Sequence, residues 1–155
     1  MTELTNTEEP TAEERIKALA EFLEIEIPEG EELEDVITEE TYTEHAFEAE
    51  GNTYLVLTDS EADEAAEEYV TNSLCFFNAS FLASETGLPE EVFSALQEKY
   101  EDANETLLTL VNAHCDGGIE AFTKTAIRYD GRGHFLNQYD GKEEEQGVFF
   151  IYRTN

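Results

Sequence analysis

The sequence predicts an α+β fold, with four to five helices packed on a small antiparallel sheet in a single domain. Three observations carry that expectation. Residues 58–83, TDSEADEAAEEYVTNSLCFFNASFLA, repeat apolar side chains at three- and four-residue steps, the period of a helix with one buried face. Residues 41–58 and 148–153 are short runs rich in aromatic and β-branched residues, the composition of strands. At 155 residues and 40% hydrophobic, the chain is long enough to bury one real core. Residues 1–10 read as a flexible acidic tail and residues 11–155 as the domain.

Thr11 to Glu24 is expected to be a short helix. Thr11 and Glu14 have capping-box spacing, and Ile16, Leu19, Ala20 and Leu23 form an apolar stripe. Glu24 to Glu40 is more than half acidic and is interrupted by Pro28 and Gly30, which predicts a loop with at most a short strand or turn. Thr41 to Thr58 reads as a hairpin turning at Glu50-Gly51-Asn52. The helix of residues 58–83 starts on Thr58, Asp59 or Ser60, with Glu61 placed as the box partner of Thr58. Gly87 suits its C-terminal cap, and Pro89 then opens a helix over 89–100. Further helices are expected over 103–114 and 119–128. Tyr129-Asp130-Gly131 and Tyr139-Asp140-Gly141 repeat a turn-forming tripeptide ten residues apart. The final run, Val148 to Arg153, is expected to pair with the hairpin beneath the central helices.

Charge separates this chain from an ordinary soluble domain. It carries 38 acidic residues against 8 basic ones, a net charge of −30. A domain of this size is comfortable with a net charge of about 2–8 in magnitude, and a larger excess strains it by self-repulsion. Direct binding to DNA, RNA or anionic membranes is disfavoured. One explanation is a surface that imitates nucleic acid, carboxylates standing in for phosphates. The alternative is solvation of a salt-adapted protein. Only four lysines fit that alternative, but Glu outnumbers Asp 31 to 7 and ten Phe are kept. The acidic start MTELTNTEEPTAEE is unlike a signal peptide, and two cysteines fit a reducing cytoplasm.

The candidate partner-binding residues are Asp59, Glu61, Asp63, Glu64, Glu67 and Glu68 on the first acidic helix, with Glu90 and Glu91 on the next. Glu98, Glu101, Asp102 and the acidic 29–40 segment extend the pattern. His114-Cys115-Asp116, even with His45, Cys75 or His134, follows no recognised metal spacing, so no metal or other cofactor is expected. Asp130-Gly131-Arg132-Gly133-His134 gathers an acid, a cation and an imidazole, the ingredients of a small active-site loop. Without a phosphate-binding loop, nucleophile elbow or zinc-protease helix, the expectation is a protein that is not an enzyme.

The segments GRGHFLNQYDG and FFIYRTN, together with YLVLTDSEADEAAEEY, resemble small accessory proteins of phages and mobile elements. That resemblance implies a host-interaction role of the antirestriction or anti-CRISPR kind, some of whose members are acidic DNA mimics. The expected partner is a basic nucleic-acid-binding protein of the host, a defence nuclease or effector complex, met in the cytoplasm.

Overall fold

The computed structural model describes residues 9–98 and 103–155. Most of the expected tail, and Lys99 to Asp102 with the end of the 89–100 helix, lie outside the described residues. The chain forms eight α-helices and a five-stranded antiparallel sheet among the described residues, an α+β architecture with more helices than expected. It divides into two compact units. The first runs to Ala62 and is completed by Leu136–Asn155; the second is Asp63–Phe135.

In the first unit, α1 (Ala12–Leu23) begins on the expected capping box. Thr11 Oγ1 accepts from the Glu14 N–H at 3.1 Å, and the Glu14 carboxylate accepts from the Thr11 N–H at 2.8 Å. The acidic stretch that follows is not all loop. It contains a single helical turn, α2 (Leu33–Val36), and β1 (Ile37–Glu39). The hairpin is as expected: β2 (Ala46–Ala49) and β3 (Asn52–Thr58) pair with Ala49 opposite Asn52. The two turn residues, Glu50 and Gly51, both have positive φ (52° and 83°), the twist-matched geometry of a two-residue hairpin turn.

β5 (Phe149–Arg153) pairs antiparallel with β3, Val56 opposite Ile151. β4 (Glu144–Gln146) adds an edge that its acidic composition concealed, giving the order β1-β2-β3-β5-β4. Both edge strands carry exposed carboxylates, which oppose edge-to-edge pairing with other chains. Phe47, Tyr54, Val56, Phe149 and Ile151 form one buried face. The helix covering it is α1, through Ile16, Ala18, Leu19 and Ala20, where the central helices were expected.

The second unit is helical. The expected continuous helix over 58–83 is instead α3 (Asp59–Asn72), a 3₁₀ turn (Leu74–Phe76) and α4 (Ala79–Thr86). The break is stabilised by side chains from distant segments. Asn104 Oδ1 accepts from the Leu74 N–H at 2.9 Å, and its Nδ2 donates to the Thr71 carbonyl at 3.0 Å. Gln97 donates to the Phe77 carbonyl, and Asn78 caps α4 through the Ser80 N–H. These bonds supply partners for backbone groups that a helix end leaves unpaired. Then come α5 (Glu90–Gln97), α6 (Asn104–His114), α7 (Gly118–Asp130) and α8 (Arg132–Leu136). Gly131 caps α7 at φ 87°, so the expected 130–134 loop is mostly a new helix. The core joins Val70, Leu74, Leu82, Phe93, Leu107, Val111, Phe122 and Phe135. No helix among the described residues is long and apolar enough to cross a membrane.

Candidate functional site

The helix carrying the expected acidic row starts where Thr58 leaves the sheet. Glu61 N–H donates to Thr58 Oγ1 at 3.3 Å and the Thr58 N–H donates to Glu61 Oε1 at 2.9 Å, completing the capping box. Ala62, Ala66 and Val70 then repeat at four-residue intervals and are fully buried. Glu64 and Glu68 consequently project to the opposite side, and both are exposed.

Glu61 does not belong to the exposed row. Its two oxygens accept from Arg15, Nη1 to Oε1 at 2.7 Å and Nη2 to Oε2 at 2.8 Å. Arg15 is 1% exposed, donates also to the Val56 carbonyl at 2.8 Å, and lies 5.5 Å from the Phe149 ring centroid. His45 Nε2 approaches Glu61 at 3.5 Å and Glu9 at 3.7 Å. Burial pushes the Glu61 carboxyl up. The Arg15 hydrogen bond, the Thr58 N–H and the Arg15 and His45 charges outweigh it and lower the pKa to about 2. Glu61 is thus a structural anion committed to a buried cation. The sequence did hold a signal: Arg15 interrupts an apolar stripe between Ala12 and Leu19, and a buried guanidinium requires a carboxylate.

Asp63 is likewise engaged, by Arg132 Nη1 at 3.0 Å, although its side chain stays 56% exposed. Glu64, Glu67 and Glu68 remain as the outward group, with Glu67 half-buried. They fall within roughly 100° of the helix circumference and span ~6 Å along its axis. Asp59 is exposed on the first turn of α3. Glu90 and Glu91 are exposed on the first turn of α5, where the helix N-terminus favours anions without any partner. Every acid from Glu29 to Glu40 is exposed as well.

The remaining candidates resolve differently. Cys115 is a buried thiol whose pKa is raised by burial, then by Glu85 and Asp116. His114 and Asp116 beside it are exposed. Ligand-type atoms do meet at Glu9, His45 and Glu61, within 4.8 Å of one another, but both Glu61 oxygens already serve Arg15. In the 130–134 segment, Arg132 is tied to Asp63, and His134 packs edge-on against Phe135 at 5.0 Å. No protein-family model, curated protein or solved structure matches this chain.

Proposed function

We propose that the protein is an acidic nucleic-acid mimic that inhibits a host defence nuclease, a restriction enzyme or CRISPR effector, by occupying its basic groove. The observation that carries this is the spacing of Glu64, Glu67 and Glu68. Three carboxylates on one side of a half-buried helix place a charge about every 3 Å of axis, beside about 3.4 Å per strand in duplex DNA. The complete burial of Ala62, Ala66 and Val70 fixes which side of α3 carries that row. Several bases that would dilute it are consumed internally: Arg15 by Glu61, Arg132 by Asp63 and Lys124 by Glu120. On this reading the protein acts in the cytoplasm, needs no cofactor, catalyses nothing and does not touch nucleic acid itself.

The test is displacement of a labelled DNA duplex from a restriction endonuclease and from a CRISPR effector, with the E64K/E67K/E68K protein as control. The native protein should displace the duplex, with an affinity that falls steeply between about 50 and 200 mM salt. The triple variant should not. Equal displacement by both proteins would remove the function from this face.

A second reading is favoured by one observation. Exposed acids occur on α1, α3, α5, α6, α7 and both edge strands rather than on one side alone. Such a distribution suits a salt-adapted soluble interaction domain whose charge serves solvation. It requires a chain that unfolds at about 0.1 M salt and folds at molar salt, where self-repulsion is screened to within about 3 Å. Circular dichroism melting at both salts separates the two readings.

A further inference from the structure

The helical unit contains a pocket of about 480 Å³ whose walls are aromatic: Tyr69, Phe76, Phe77, Phe81, Tyr129 and Phe135. That is the size of a small-molecule site. Three of these rings are exposed, Phe76 at 75%, Tyr129 at 72% and Tyr69 at 41%. Tyr129 stands edge-on to Phe81, centroids 6.0 Å apart at 88°, so the two rings form the corner of a box. Phe77 stacks on Phe81 and on Phe135 at 6.1 and 6.0 Å and fixes the floor. The titratable groups in the lining, tyrosines apart, are the carboxylates of Glu85 and Asp130 and the imidazole of His134, and neither Lys nor Arg contributes to it.

We propose that this pocket binds a small organic cation of the trimethylammonium type. The proposal is independent of the mimic reading, because it rests on ring geometry rather than on the outward row of α3. The electron-rich face of an aromatic ring attracts a cation. A weakly hydrated alkylated ammonium gains from this, whereas a strongly hydrated one loses its water. Glu85 and Asp130 add charge complementarity, which favours a cation over a neutral apolar molecule of the same shape.

The experiment is calorimetric titration of the full chain with choline and with its neutral isostere 3,3-dimethylbutan-1-ol. About 0.5 M sodium chloride would screen the diffuse attraction of the surface charge. Choline should bind saturably and at least about tenfold more tightly than the isostere. F76A and Y129A should each weaken choline binding about fivefold or more while leaving the melting transition in place, because both side chains are mainly exposed. D130N should weaken it with the rings intact. Equal affinity for the two probes, or no saturation by about 10 mM choline, would overturn the proposal. So would choline binding that survives F76A, Y129A and D130N alike, because the cation would then be held elsewhere on the acidic surface.

Discussion

Arg15 and Glu61 form a two-point ion pair, 2.7 and 2.8 Å, that joins the first turn of α1 to the first turn of α3 across 46 residues of sequence. Arg15 is fully enclosed, and Glu61 is the carboxylate that balances it. Removing one member of such a pair costs about 3–5 kcal/mol, because the survivor is left as an unpaired buried charge. E61Q should therefore lower unfolding stability by about 3 kcal/mol in a denaturant titration. A loss below about 1 kcal/mol would show that water or Glu9 takes over the guanidinium.

The same pair sets an acid limit. The Glu61 carboxyl titrates near 2 in the folded chain, below its ordinary value of 4.5. The unfolded chain therefore takes up this proton first as pH falls, and the stabilisation, complete above about 4.5, is lost between there and about 2. Protonation of the other surface acids acts in the opposite sense by relieving repulsion. The native protein should lose more stability from pH 4.5 to 2 than E61Q, as read from paired melting curves. Parallel curves would remove Glu61 as the source.

Charge reversal on α3 should leave the fold intact. Glu64 repels Glu67 and Glu68 at three- and four-residue spacing, a cost of about 0.2–0.5 kcal/mol per pair. E64K/E67K/E68K keeps like charges at the same spacings but lowers the net charge from −30 to about −24, so its melting temperature at low salt should equal or exceed that of the native chain. A large drop would mean that these carboxylates stabilise the fold instead of facing a partner.

Asn104 holds the break between α3 and the 3₁₀ turn by serving the Leu74 N–H and the Thr71 carbonyl together. N104A leaves both groups short of a partner and should cost about 1–3 kcal/mol. Hydrogen exchange should show the loss as faster exchange at Leu74 and its neighbours. Unchanged protection there would mean that the break is held by other contacts.

Gly117 and Gly118 connect α6 to α7 with positive φ, 88° and 75°. A Cβ on Gly117 would stand 2.7 Å from the Ala121 Cβ, closer than carbon atoms can pack. G117A should therefore lose more than the roughly 1–2 kcal/mol of left-handed backbone strain alone, measured by thermal melting. A loss confined to that strain would mean that Ala121 can move aside.

Local signals decided much of the fold. The capping boxes at Thr11 and Thr58, the Glu50-Gly51 turn, the apolar stripe of α1 and the aromatic run at the C-terminus each act over a few residues, and each gave the expected element. β4 and the single turn α2 escaped because their residues are dominated by acids, and strand pairing with β5 overrides that weak preference. The helix break at Ser73–Asn78 escaped for a different reason. An uninterrupted apolar period favours continuity, and the side chain that ends the helix comes from 30 residues away.

The acidic row shows the same division at the candidate site. Composition and period by themselves determined that the chain is an extreme polyanion and that α3 turns a carboxylate-bearing side to solvent. Only the tertiary structure decided which carboxylates are outward. Glu61 and Asp63 share their helix with Glu64 and Glu68, yet their cations lie 46 and 69 residues away. Helical period is a short-range property of the backbone, whereas an ion pair forms wherever the folded chain brings opposite charges within about 3 Å. That matching took Glu61 out of the surface row and committed the still exposed Asp63 to Arg132, so that Glu64, the half-buried Glu67 and Glu68 make up the rest of it.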